Sequence, residues 1–161
     1  TGSILREVWT GLSGDRIEDL TNSAAYKGPP NTVERPTSFE SPREYADSYG
    51  SRFRGWLVPP ASGPYVFCLT SDDHGEVWVS TDDGPAGRVK ILANGNALEA
   101  TADHLVWAAP ADAPAGRGYQ FVELEHYYRP RGKPRHQQPW LASVWRKSAQ
   151  ALSTPAMSPF S

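Results

Sequence analysis

The chain has 161 residues, a length suited to one domain with a sizeable buried core. Its net charge of −2, with both signs mixed along the sequence, excludes a general nucleic-acid binder. No apolar run approaches the ~18 residues of a membrane span, so direct membrane insertion within this segment is also excluded. A hydrophobic content of 39% with 15 prolines and 14 glycines describes a loop-rich globule, all-β more readily than helical.

The residues from Ile4 to Leu12 predict a first strand, closed by Gly11 and Ser13-Gly14-Asp15. Ile17 and Leu20 suit a short helical turn. Residues 21 to 47 hold Pro29, Pro30, Pro36 and Pro42 among scattered polar residues, the pattern of a long irregular connection. Connections of that length are usually functional or pinned by their own packing, and Phe39, Tyr45 and Tyr49 are the expected pins. Arg52 to Val58 predicts a second strand.

The stretch from Gly63 to Ser80 carries the clearest pattern. Tyr65, Phe67 and Leu69 alternate with Val66, Cys68 and Thr70, as in a half-buried strand. Ser71-Asp72-Asp73-His74-Gly75 is dense in turn formers, and Gly75 suits the positive φ of a tight reversal. Alternation resumes with Val77 and Val79 against Glu76, Trp78 and Ser80. The expected unit is a hairpin with two adjacent carboxylates at its tip, which are hard oxygen ligands of the kind calcium takes. A solvated turn is the plainer alternative. Cys68 cannot form a disulfide within the chain, and its apolar neighbours predict a buried, inert thiol. A cytosolic protein and a secreted domain both fit that cysteine usage.

Thr81-Asp82-Asp83-Gly84-Pro85 reads as ordinary turn chemistry, followed by a short strand over Arg88 to Leu92. Asn94-Gly95-Asn96 is a turn signal, with strands expected at about His104 to Ala108, Tyr119 to Tyr128 and Trp140 to Trp145. Between the last two lies a basic, proline-interrupted loop from Arg129 to Pro139. It suits a solvated surface loop, an anion site for sulfated or sialylated glycan, or a latch onto Asp72 and Asp73. Residues 148–161 read as a Ser/Pro/Ala-rich linker, leaving 1–147 as the domain. The start at Thr1-Gly2-Ser3 suggests an excised or processed form. Roughly eight short strands without a long amphipathic helix argue for an all-β, two-sheet antiparallel sandwich.

Trp9, Trp56, Trp107 and Trp145 lie in strands and are expected mostly in the core. Trp78 and Trp140 suit core packing or a ring presented to a sugar. The four histidines, His74, His104, His126 and His136, lack metal-motif spacing, and no nucleophile-elbow, phosphate-loop or dinucleotide fingerprint occurs. Glu123 and Glu125 share a strand face, as a glycosidase pair would, but so would any exposed edge. The chain is expected not to be an enzyme.

Gly63-x-Tyr65-x-Phe67 followed by Ser71-Asp72-Asp73-x-Gly75 and Ser80 strongly resembles the signature of the protective antigen fourteen domain family. The resemblance extends from Arg6-Glu7-Val8-Trp9 through Tyr49 to Leu57 and on to Ala142-Ser143-Val144-Trp145, and covers roughly residues 3 to 147. The opening Ser3 to Trp9 looks most like the copies in fibrocystin-like cell-surface proteins. The resemblance implies a β-sandwich module of extracellular or cell-surface proteins. In sugar-binding yeast adhesins of the family, an aspartate pair joined by a cis peptide chelates calcium, and the ion grips vicinal hydroxyls of a sugar. An asparagine side chain and two carbonyls from the loop before the last strand complete that site.

Carried over, this implies a calcium cofactor at Asp72 and Asp73, with Gln137 offering an amide oxygen. Ligand contacts would come from Asp72, Asp73, Arg135, His136, Gln137, Gln138 and Trp140. The chain departs from the lectin pattern where His136, Gln137 and Gln138 stand in place of the asparagine. Arg131, Lys133 and Arg135 there would repel a cation, by ~1 to 4 kcal/mol per close pair. The expected function is calcium-assisted carbohydrate binding in cell adhesion. Its partners would be a glycan or cell-surface glycoprotein and other domains of the parent protein. The alternative is a structural or protein-interaction module of a larger surface protein or extracellular filament.

Overall fold

The computed structural model describes residues 4–42, 45–71, 73–94, 99–107, 120–128 and 141–146; in the last two spans it describes backbone and the Glu123 side chain. The strands are β1 (Leu5–Thr10), β2 (Thr32–Glu34), β3 (Tyr49–Leu57), β4 (Gly63–Thr70), β5 (His74–Ser80), β6 (Arg88–Ala93), β7 (Glu99–Val106), β8 (Gln120–Tyr128) and β9 (Leu141–Arg146). Two short helices, α1 (Ile17–Thr21) and α2 (Ala24–Lys27), lie between β1 and β2. All pairings are antiparallel. Six strands form one sheet in the order β2-β1-β3-β8-β5-β6, and three form a second in the order β7-β4-β9. The expected two-sheet β-sandwich is the observed fold.

The period-2 pattern dictates the core. Tyr65, Phe67 and Leu69 point inward from β4 and meet Phe53 and Leu57 of β3, Val77 and Val79 of β5 and Leu92 of β6. Three strands cannot cover six, so other segments close the remaining area. On the inner side the connection from residue 35 to 48 does this: Phe39 is 2% exposed and packs 6.1 Å from Phe53, and Tyr45 packs 5.4 Å from Tyr49. The three expected pins are in place. On the outer side α1 and α2 lay Leu20, Ile17 and Tyr26 over Trp9. Leu20 sits where a side chain on Gly50 would be, so that close approach requires glycine.

Several expectations need correction. The connection from 21 to 47 is not wholly irregular, since it contains α2 and the edge strand β2. The strand expected at His104 begins at Glu99, because Ala100 and Ala102 turn small side chains inward and give little hydrophobic signal. Cys68 is half-buried on the outer face of its sheet. Trp107 is 48% exposed, and Trp56 is half-buried rather than core.

The largest correction concerns the presumed hairpin. β4 and β5 do not pair: β4 lies between β7 and β9, and β5 between β8 and β6. Residues 71–73 therefore carry the chain from one sheet to the other. Alternation and turn formers identify two half-buried strands and a reversal, but not the partners each strand chooses. Gly75 is not the left-handed residue of the turn either. Asp73 is, at φ 65°. Gly75 serves close packing, since a Cβ there would lie 3.1 Å from the Ser71 Cβ and Oγ and 3.2 Å from Leu69. No described helix is long and apolar enough to cross a membrane.

Candidate functional site

The inter-sheet turn sits where several strand ends converge. Thr70, the last residue of β4, pairs with Leu141, the first of β9, and with Glu99, the first of β7. His74, the first residue of β5, pairs with Tyr127 near the end of β8. β8 thus runs out beside His74 and β9 begins beside Thr70, on either side of the acidic turn. β6 ends at Ala93, with Asn94 directly after it, and β7 begins at Glu99. The register thus brings the ends of β4 and β8 and the starts of β5, β7 and β9 to one end of the sandwich.

Asp73 is half-buried in this turn. Asp72, Arg135, His136, Gln137, Gln138 and Trp140 lie outside the described residues, as do Arg131 and Lys133 of the basic loop. Ser71 is 2% exposed, and its Oγ has no hydrogen-bond partner among the described residues. The turn is organised instead by Asn94, which is 5% exposed. Its Oδ1 accepts from the Gly75 amide at 2.7 Å, and its Nδ2 donates to the Ser71 carbonyl at 3.1 Å and the Asp73 carbonyl at 3.4 Å. The Asn94 amide itself donates to the Gly75 carbonyl at 3.2 Å. Sequence reading took Asn94 only as a turn former, and no local signal marks a side chain that bonds a loop 19 to 23 positions away.

His74 braces the turn from the other side. Its Nδ1 contacts the Asp15 carbonyl in the loop before α1, a geometry in which Nδ1–H donates. That loop is itself fixed by Asp19, whose Oδ2 accepts from the Asp15 amide at 3.0 Å and the Arg16 amide at 3.1 Å. These two backbone donors favour the carboxylate and hold the Asp19 pKa below its usual value.

Other acidic groups have structural occupations. Glu76 is 8% exposed and accepts from Lys90 Nζ at 2.7 Å and from Trp78 Nε1 at 3.1 Å. Lys90 lies 5.4 Å above the Trp78 ring, so the face of that tryptophan is covered by a cation. Glu123 is 5% exposed and pairs with Arg88 at 3.1 Å, as a buried structural carboxylate on a central strand does. In the second acidic turn, Asp82 accepts from the Gly84 amide at 2.9 Å, and the Asp83 carbonyl accepts from Trp56 Nε1 at 2.8 Å. That is ordinary turn chemistry. Among the described residues, no three His, Cys, Asp or Glu side chains are grouped to hold a metal.

Two antiparallel sheets around one core, with loops collected at one end, define a β-sandwich module. The family model of the PA14 domain matches residues 22–84, from α2 through the acidic turn and β5. Solved structures agree over nearly the whole chain. The Epa9 adhesin A domain from Candida glabrata, in complex with Galb1-4GlcNAc, superposes at a TM-score of 0.61 with 7% identity, covering 95% of this chain and 85% of that one. The PA14 sugar-binding domain of an RTX adhesin gives 0.58 at 12% identity, covering 95% and 94%. A β-glucosidase from Kluyveromyces marxianus in complex with glucose gives 0.58 at 14% identity, covering 90% of this chain but 16% of that enzyme. At such identities the likeness is one of fold. No curated protein sequence matches the chain.

Proposed function

We propose that this domain is a non-catalytic recognition module of the cell surface or extracellular space that binds carbohydrate, with calcium held at the Asp72-Asp73 turn. The observation that supports the reading is the register: Leu141, where β9 begins, pairs with Thr70, and Tyr127, near the end of β8, pairs with His74, on either side of the acidic turn. Segment 129–140 would supply Gln137 to the metal, and Arg135, His136, Gln138 and Trp140 to the sugar. The donor chemistry suits the ion, because carboxylate and amide oxygens are the hard ligands calcium takes, about six to eight of them. Bound calcium would offer open coordination positions to sugar hydroxyls. The protein's own part is to hold the turn in one shape and to place the second loop beside it. The sugar-binding adhesins among its structural neighbours support the glycan partner, and the fibrocystin-like opening residues support a surface setting.

A second reading follows from Asn94. Its amide already satisfies the turn from inside the protein, as a purely structural corner requires, and a structural or protein-interaction module would need no more. A role as accessory domain beside a catalytic unit, as in the larger β-glucosidase, leaves the chemistry elsewhere. Calcium titration by calorimetry, followed by a glycan array with and without chelator, separates the readings. Chelator-sensitive glycan binding supports the lectin reading; a protein that takes up neither calcium nor glycan is the structural module.

A further inference from the structure

A left-handed aspartate is held where its surroundings enforce it, because an L side chain resists φ near 65°. Among the described residues the buried Ser71 hydroxyl has no hydrogen-bond partner, so that neighbouring side chain does not supply the restraint. A remote side chain does. Asn94 fixes the Ser71 carbonyl and the Asp73 carbonyl, and it anchors the Gly75 amide near the start of β5. The Ser71 and Asp73 carbonyls are thereby held by one side chain that is itself 5% exposed. Glycine at 75 lets the turn fold back against Ser71 and Leu69, so the framework is close-packed as well as hydrogen-bonded.

We infer that Asn94 is the positioning residue of the calcium site, presetting the Asp72-Asp73 backbone before any ligand arrives. This rests on the function proposed above. Groups that orient metal ligands without touching the metal commonly govern affinity by about 10- to 100-fold. Both Nδ2 contacts go to carbonyl oxygens and Oδ1 takes an amide, so only a primary amide of this length matches all three partners. Serine or alanine cannot.

The experiment uses the whole chain and calcium alone, titrated by calorimetry, with amide hydrogen exchange as the second readout. Asn94→Ser and Asn94→Ala are compared with Val79→Ala, a core change at the far end of β5 that controls for lost stability. The expected result is a calcium affinity lowered about 10- to 100-fold in both Asn94 variants. It comes with faster exchange at Gly75, retained protection in β3, and wild-type affinity in Val79→Ala. Wild-type affinity in a folded Asn94→Ser overturns the inference while leaving the calcium reading intact. Equal losses in Val79→Ala overturn it too, since general destabilisation would then be the cause. A wild type that binds no calcium removes both the function and this role.

Discussion

Arg6 and Glu34 meet at 2.6 Å across the pairing of β1 with β2, and the Arg6 side chain is wholly buried while that of Glu34 is 36% exposed. Arg6 also donates to Ser41 Oγ at 3.3 Å and lies 4.3 Å over the Tyr45 ring and 5.5 Å over that of Phe53. One cation thus ties the edge strand and the long connection to the sheet. Glu34→Ala strands that charge. Breaking a fully buried pair costs ~3 to 5 kcal/mol, and the partial exposure of Glu34 should bring the loss to about 2. Urea denaturation checks this, with Arg6→Met/Glu34→Ala expected to lose less than the sum of the single changes.

Gly50→Ala places a methyl 2.5 Å from Leu20 Cδ1, which forces α1 away from the sheet. Overpacking of this kind costs ~1 to 3 kcal/mol. Leu20→Ala costs ~2 to 5 kcal/mol by opening a cavity. In the double variant the alanine methyl enters the space Leu20 vacates. A double-mutant cycle should therefore show marked sub-additivity, and strict additivity would disprove the contact.

His104 sits 6.1 Å edge-on to Phe67, and burial lowers its pKa below 6.5. With the folded value depressed, the unfolded chain takes up the proton first. Stability is therefore full above pH ~6.5 and declines as pH falls through the folded pKa. The drop in melting temperature between pH 7.5 and pH 5 should shrink in His104→Leu relative to wild type.

Calcium in about hundredfold excess over Kd should stabilise the wild type by ~2.7 kcal/mol through mass action. Asp72→Ala should abolish that increment. Asp73→Gly should also abolish it while leaving stability without calcium within ~1 kcal/mol of wild type, because glycine accepts φ near 65° without strain. A melting temperature indifferent to chelator in the wild type would favour the structural module.

If the basic loop only hinders the cation, replacing Arg131, Lys133 and Arg135 with Ser should tighten calcium binding by removing positive charge. If those residues also contact an anionic glycan, glycan affinity falls and loses its salt dependence, since screening acts on that attraction. Unchanged affinities for both would retire the loop from the site.

The sequence by itself determined the sandwich, the buried faces of β4 and β5 and the packing anchors Phe39, Tyr45 and Tyr49. Each follows from alternation or from aromatics stranded in a polar connection, which are local signals. It also marked Asp72 and Asp73 as the place to look. Only the tertiary structure decided that β4 and β5 part to opposite sheets, because strand pairing is chosen by the whole core and not by the turn between two strands. It alone moved the left-handed position from Gly75 to Asp73 and made Asn94 the keeper of the turn. A hydrogen bond from the end of β6 to a loop between β4 and β5 depends on which strands lie side by side, and no spacing along the chain encodes that.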